Sequence, residues 1–319
     1  MIFDSLKRGL VVGLKTTWTL GKIIFPVTLI LTVLQYTPIL PWIIKAISPL
    51  MKILGLSGDA AIPLVLGNFL NLYAAIGAIL TLPFSVKEVF ILAVMLSFSH
   101  NLFVESSVAM KTGVKLWVVL TTRLGLAFTS AVVINLVWHG GGQTAQYGLI
   151  PAKTEHATGL FAIFLEALQK CGLGILQLAM IVIPLMLVIQ LLKDLQWLTK
   201  FSKMMGPITR TLGMKENTST TMAAGLFFGL AYGAGVMIQA VKEDGVSQKD
   251  LTLAFIFLVA CHAVVEDTLI FVPLGIPVWP LFLIRLGVAI ILTLIVGTVW
   301  KRKGIIRRKD ISHDYHDSI

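Results

Sequence analysis

Apolar runs of membrane-spanning length, separated by short polar joints, take up most of this 319-residue chain, and they fall into two sets of four. The first set, a to d, covers residues 22–44, 60–82, 86–109 and 115–138; the second covers 174–196, 218–240, 247–271 and 277–300. A helix needs roughly 20 apolar residues to cross a bilayer core of about 30 Å. A short linking helix with Pro and Lys joins a to b in each set, at 47–57 and 200–214. Ahead of the first set, Phe3, Leu6, Leu10, Leu14 and Trp18 recur at helical spacing among basic residues, which predicts an amphipathic interfacial helix over 1–21.

The two sets are copies of one another. His100 and His262, Glu105 and Asp267, Gly113 and Gly275, Trp117 and Trp279, and Arg123 and Arg285 are each 162 residues apart. Upstream, Pro26 and Pro184, Pro49 and Pro207, Gly55 and Gly213, and Gly67 and Gly225 are 158 apart, so the second copy gains four residues near Asp244-Gly245. The organisation is therefore an N-terminal helix (1–21), repeat 1 (22–138), a linker holding an amphipathic helix (139–173), repeat 2 (174–300) and a basic tail (301–319) whose polar end is expected to be disordered.

Segment b makes a poor lipid-facing helix. It carries Gly67, Asn68, Asn71 and Gly77 in repeat 1, and Thr218, Thr220, Thr221, Gly225, Gly229, Gly233 and Gly235 in repeat 2. Irregular backbone at membrane depth is tolerated where protein or a water-filled cavity surrounds it. Charge placement chooses between spanning and re-entrant forms. If b enters and leaves on one side, each repeat has three crossings and the copies are inverted. Lys7, Arg8, Lys15, Lys22, Lys111, Lys115, the Lys200 to Lys215 group, Lys242, Lys249 and the basic tail then share the N-terminal side. Only Lys45, Lys52, Lys87, Lys153 and Lys170 fall opposite. The positive-inside rule favours this arrangement, with both termini cytoplasmic. The expected fold is an all-α integral membrane protein of two inverted repeats, each of three transmembrane helices plus a re-entrant helical hairpin.

Composition agrees: the chain is 56% hydrophobic and 13% charged, with mean hydropathy +0.88. Its formal net charge of +10 comes from basic residues at segment ends, where anionic lipid attracts them, and gives no reason to expect a nucleic-acid partner. Two cysteines, Cys171 and Cys261, suggest neither a disulfide framework nor a metal cluster. Residues 1–20 do not read as a cleaved signal peptide.

The chemistry sits inside the apolar runs. Each histidine stands nine residues from the end of its c segment, which is roughly 13 Å down and near the midplane. Repeat-built transporters place their sites at that depth, and intramembrane ionisable residues are functional by default. Glu105 with Arg123, and Asp267 with Arg285, read as buried ion pairs pinning c to d. Glu266 stands four residues after His262 on the same helical face, and Asn101 and Glu105 share that spacing. Asn68 and Asn71, in the first hairpin, can bind solute or cap broken backbone. The candidate binding set is Asn68, Asn71, His100, Asn101, His262 and Glu266, expected to line one cavity.

At Gly67-Asn68-Phe69-Leu70-Asn71, Ser99-His100-Asn101-Leu102-Phe103-Val104-Glu105 and Cys261-His262-Ala263-Val264-Val265-Glu266-Asp267 the chain resembles the Gate-domain, or nucleoside recognition, family of bacterial integral membrane proteins. That family includes parts of concentrative nucleoside transporters and the membrane domain of ferrous iron transporters. The resemblance covers both repeats and implies a multi-pass protein of the bacterial cell membrane. The sequence has no G-x-x-x-x-G-K-[ST] loop, so the GTPase part of an iron transporter is not expected.

The leading expectation is a secondary transporter of a small polar solute, nucleoside-like in class and coupled to protons or sodium. A metal-ion permease using His262, Glu266 and His100 is the first alternative, with its metal undefined. A non-transporting membrane partner that retains the fold is the second. No cofactor and no enzymatic activity are expected, since no segment end gathers a nucleophile, base and orienter. The expected partners are the solute or ion, membrane lipid and, in one arrangement, further copies of the chain.

Overall fold

The computed structural model describes residues 2–148 and 159–316, and among these every long element is a helix. Repeat 1 holds α1 (Ile2–Gln35), α2 (Ile39–Ile53), α3 (Ala61–Phe69), α4 (Leu72–Ile79), α5 (Val86–Ser99), α6 (Leu102–Lys111) and α7 (Leu116–Val137). Repeat 2 holds α8 (Leu160–Asp194), α9 (Trp197–Thr211), α10 (Ser219–Tyr232), α11 (Ala234–Glu243), α12 (Gln248–Ala260), α13 (Glu266–Leu269) and α14 (Val278–His316). Short 3-10 turns precede α3 and α10 and follow α13. Among the described residues five stretches are long and apolar enough to cross a membrane, Phe3–Leu34, Val86–Lys111, Leu116–Val137, Phe161–Leu192 and Val278–Arg302, and Ile44–Ile53 with Gly58–Phe69, bent by 91°, would make a sixth if the pair is one span.

Several sequence expectations need correction. No boundary falls at residue 21: α1 is one helix of 34 residues, about 51 Å long, which exceeds the membrane core. The amphipathic stretch expected in the linker is likewise the first part of the 35-residue α8. The reason is packing, because the two helices lie against each other over most of their length. The tail is helical as far as His316. Residues 149–158 of the linker, Lys153 among them, and 317–319 lie outside the described residues. The c segments are not continuous helices either. Each breaks at its histidine, and the second forms only 13 helical residues before the break, too few to count as a long span.

α1 and α8 run antiparallel. Gly9 abuts Leu187, Gly13 abuts Ile183, and Gly21 faces Ile175. A Cβ on Gly9 would stand 2.8 Å from the Leu187 Cα, and one on Gly13 3.0 Å from the Ile183 Cα. Gly9-Leu10-Val11-Val12-Gly13 is thus a small-x-x-x-small contact that lets two backbones approach, the main route to helix association where lipid removes the hydrophobic drive. Arg8 ties the far end, donating to Asp194 at 2.9 Å. Hydrogen bonds from Ser5, Arg8 and Gln190 hold the Asp194 carboxyl down at about 2. Its contribution to stability is complete above the ordinary carboxylate range and is lost only as pH falls through that value.

The α3–α4 pair and the α10–α11 pair correspond to the two b segments. The chain enters α3 beyond Ser57, whose backbone N–H donates to Glu88 Oε1 at 2.8 Å. It returns from α4 to Ser85, whose N–H donates to Glu88 Oε2 at 2.9 Å. Both ends of the pair thus meet one carboxylate at the start of α5. In repeat 2, Asn217 before α10 donates to the carbonyl of Asp244 after α11 at 2.8 Å.

α5 and α12 form the centre and are almost wholly buried. α7 buries only Val119, Arg123, Ala127 and Ala131, one stripe at a spacing of four. α14 buries Leu281, Arg285, Ala289 and Thr293, the equivalent positions 162 residues on. Phe128, Val133 and Leu136 of α7 and Leu283, Ile291 and Ile295 of α14 are exposed apolar side chains, as lipid contact requires.

Overpacking the α1–α8 contact tests this arrangement. Gly9→Leu should lower unfolding stability by about 1–3 kcal/mol, because the Leu187 backbone cannot yield. Gly21→Ala has 3.6 Å of room and should be neutral or stabilising by up to about 1 kcal/mol. Denaturant unfolding in detergent micelles would compare the two.

Candidate functional site

α5 ends at Ser99, and Asn101 takes φ +50°, which turns the chain into α6. α12 ends at Ala260, and Ala263 takes φ +40°. An alanine in this region is strained, so the surroundings must hold it there. The neighbouring hairpin helps. Asn101 N–H donates to the Gly67 carbonyl at 2.7 Å, and Ala263 N–H to the Gly225 carbonyl at 3.1 Å. Glycine at both acceptors leaves room for this approach. A Cβ would meet Leu96 at 2.3 Å from Gly67, and Leu258 at 2.6 Å from Gly225.

A broken helix leaves its last carbonyls without partners. Arginine supplies them. Arg123 donates from Nε to the Phe98 carbonyl at 2.8 Å and from Nη2 to the His100 carbonyl. Arg285 donates to the His262 carbonyl at 2.7 Å. Each guanidinium also pairs with the acid of its own repeat: Arg123 with Glu105 at 2.8 Å, Arg285 with Asp267 at 3.0 Å. All four side chains are buried.

The two imidazoles face each other, with ring centroids 5.3 Å apart. Nδ1 of His100 lies 2.7 Å from the Leu96 carbonyl, and Nδ1 of His262 lies 2.8 Å from that of Leu258. A carbonyl only accepts, so Nδ1 is the donor in both rings. Nε2 therefore points inward. His100 Nε2 stands 3.3 Å from Glu105 Oε1; His262 Nε2 stands 3.3 Å from Glu105 Oε2 and 3.5 Å from Asp267 Oδ2. In the neutral ring Nε2 is an acceptor facing acceptors. The contact becomes attractive with a proton or a cation between them. The inward atoms of His100, His262 and Asp267 all lie within 4.8 Å of one another, close enough to share an ion.

A cavity of about 320 Å³ opens beside this centre. Asn71, His100, Asn101, His262 and Glu266 line it, joined by Glu105 and Asp267. Asn71 also caps α4, accepting from Ala74 N–H at 3.0 Å. Asn68 does not reach this cavity. It donates to the Leu64 carbonyl at 2.7 Å and lines a separate apolar hollow with Phe69, Leu102 and Phe128. One turn of α3 rotates it away from the hairpin tip. The expected pairing of His262 with Glu266 along one helix also fails, because the chain is not helical between them. Glu266 instead accepts from Tyr73 of α4 at 2.6 Å. Glu105 and Asp267, rather than Glu266, are the acids that stand with the histidines. Tyr73 went unnoticed in the sequence. Its signal is a departure from the repeat, for the residue 158 positions on is Ala231.

The model of the Gate family, described as nucleoside recognition, matches residues 17–115 and 175–276. The chain is 63% identical over 294 residues to the uncharacterized membrane protein YvoD of Bacillus subtilis (strain 168), covering 92% of this chain and 94% of that protein. No solved structure matches the chain.

Each arginine and its acid should behave as one unit. Glu105→Gln or Arg123→Leu alone should cost about 3–5 kcal/mol, because each strands a buried charge. The double variant should cost less than the two summed. A double-mutant cycle by denaturant unfolding reads the coupling, and strict additivity would show the two side chains to be independent.

Proposed function

The chain belongs to the Gate, or nucleoside recognition, family of membrane proteins, and from its site we propose that it is a secondary transporter of a small polar solute, nucleoside-like in class. One observation carries this reading. The polar cavity lies where two helices of equivalent sequence break, and its wall is drawn from both repeats. Broken helices facing a midplane cavity at a repeat interface are the usual construction of a transporter site. The histidine pair and its carboxylates would bind the coupling proton or sodium ion.

The repeats would be inverted and each b segment re-entrant. The antiparallel α1 and α8 support the first point, because they hold equivalent positions (Pro26 and Pro184) in the two copies. Gln248, at the start of α12, donates to the carbonyl of Gly113, just past α6, at 2.6 Å, so the second c segment begins where the first ends. The shared contacts at Glu88 and at Asn217 support the second point. The excess of basic residues on one side would place both termini in the cytoplasm, in the cell membrane. Cysteines introduced at Lys111 and Lys203 should then react with an impermeant reagent from the same side. Reaction from opposite sides would reject the inverted arrangement.

The close group of His100, His262 and Asp267 favours a second reading, a permease for a divalent metal ion as substrate. Electrostatics weighs against it. Both Glu105 and Asp267 are already paired with arginines, so a divalent ion would add two positive charges to a buried group that is near neutral.

Uptake into proteoliposomes decides between them. Labelled nucleosides should accumulate under an inward proton or sodium gradient, and His262→Ala should abolish uptake while the protein stays inserted. Uptake of a divalent metal that is lost in Asp267→Asn would favour the permease. Movement of neither class would leave a non-transporting partner protein.

A further inference from the structure

The cavity wall is built from equivalent residues of the two repeats. Leu70 and Phe228, Leu72 and Leu230, His100 and His262, and Glu105 and Asp267 all line it in pairs. The cavity therefore sits on the axis relating the copies, and each departure from equivalence makes one side of it differ from the other. Two departures coincide in space. Tyr73 of α4 is matched by Ala231 of α10, and Glu266 of α13 by Val104 of α6. Tyr73 and Glu266 are hydrogen-bonded to each other at 2.6 Å. The polar pair thus forms one wall, and its counterparts Ala231 and Val104 supply a small apolar wall related to it by the repeat.

Charge then separates the walls further. Arg123 balances Glu105, and Arg285 balances Asp267. Among the described residues Glu266 has no ion pair with a lysine or arginine. Lys22 of α1 is exposed, with its amine 5.7 Å from the Trp18 ring centroid, and does not line the cavity. Tyr73 occupies one oxygen of the Glu266 carboxylate, and the other forms no hydrogen bond among the described residues.

Resting on the reading of this cavity as a solute site, we propose that it selects small organic monocations, with an amine held by Glu266 and Tyr73 and an apolar body against Val104 and Ala231. A half-buried carboxylate without a lysine or arginine partner recognises a cation by charge-assisted hydrogen bonding. The apolar wall offers a bare metal ion nothing but rewards a hydrocarbon or ring surface. A neutral nucleoside carries no such charge near neutral pH, so within the same solute-site reading the class moves from nucleoside-like molecules to ones that bear a protonated nitrogen.

Three molecules of one shape and different charge test this: benzylamine, benzyl alcohol and benzoate, added to the full-length protein in nanodiscs at pH 8. A bound ligand raises the unfolding temperature in proportion to its occupancy. Benzylamine should stabilise the protein at concentrations where the alcohol and the acid do not. Glu266→Gln preserves shape and should weaken benzylamine binding by on the order of tenfold. Val104→Glu placed in the Glu266→Gln background should restore the preference for the amine, because the two positions are equivalent across the repeat. That gain could not arise from a folding defect. Equal stabilisation by all three molecules, retention of amine preference in Glu266→Gln, or equal stabilisation by sodium chloride alone would overturn the proposal. The assay reads binding and needs no transport. Amine binding without uptake of any solute would therefore reject the transporter reading alone. Gradient-driven uptake of a neutral solute with no amine preference would reject this inference alone.

Discussion

The interaction on which this structure depends is the capping of a broken membrane helix by a buried arginine. Each c segment stops at its histidine, and stopping a helix in a low-dielectric interior exposes carbonyls that cannot reach water. Arg123 and Arg285 supply the missing donors and take their counter-ions from Glu105 and Asp267. Neither half would stand alone. An unpaired guanidinium at this depth costs at least ~2.5 kcal/mol, and an orphaned carbonyl is costly as well. Brought together, they offset each other.

This one arrangement orders much of the fold around it. The arginines come from about two turns into α7 and α14, and each of those helices buries a stripe with small residues below the guanidinium. The freed N–H groups beyond the break need acceptors, so the hairpins must bring Gly67 and Gly225 within hydrogen-bond reach of Asn101 and Ala263. With Nδ1 of each ring held by the Leu96 or Leu258 carbonyl, the two imidazoles face each other. The histidine pair is a consequence of how the helix ends are satisfied. The cavity beside it is lined by corresponding residues of both repeats, and side-chain identity distinguishes its walls.

Much of this was legible before any coordinates. The constant spacing between His100 and His262 and between Arg123 and Arg285 marks a duplicated unit, since no single helix or strand period produces it. The length and apolarity of the segments mark a membrane protein, because the bilayer sets both. The pairing of Glu105 with Arg123 and of Asp267 with Arg285 could be anticipated, because a lone charge at that depth is too expensive to leave unmatched. Three of the site's features could not. Ser99-His100-Asn101-Leu102 signals its helix break only weakly: Ser, His and Asn are poor helix formers and Asn tolerates the left-handed turn, but no Gly or Pro marks the place. Asn68 and Asn71 look alike in sequence, yet only Asn71 reaches the cavity, because α3 ends between them. Tyr73 resembles an ordinary interface aromatic until α4 brings it to Glu266.

The sequence by itself determined the class, the duplication and the inventory of buried charges. These are properties of composition and spacing, and the membrane acts on every residue through the same cost of burying polarity. The tertiary structure alone decided where the helices break, which asparagine faces the cavity and which acids stand with the histidines. Those outcomes depend on whether a distant carbonyl, arginine or glycine arrives within about 3 Å of the backbone, and that is settled by how the two repeats dock.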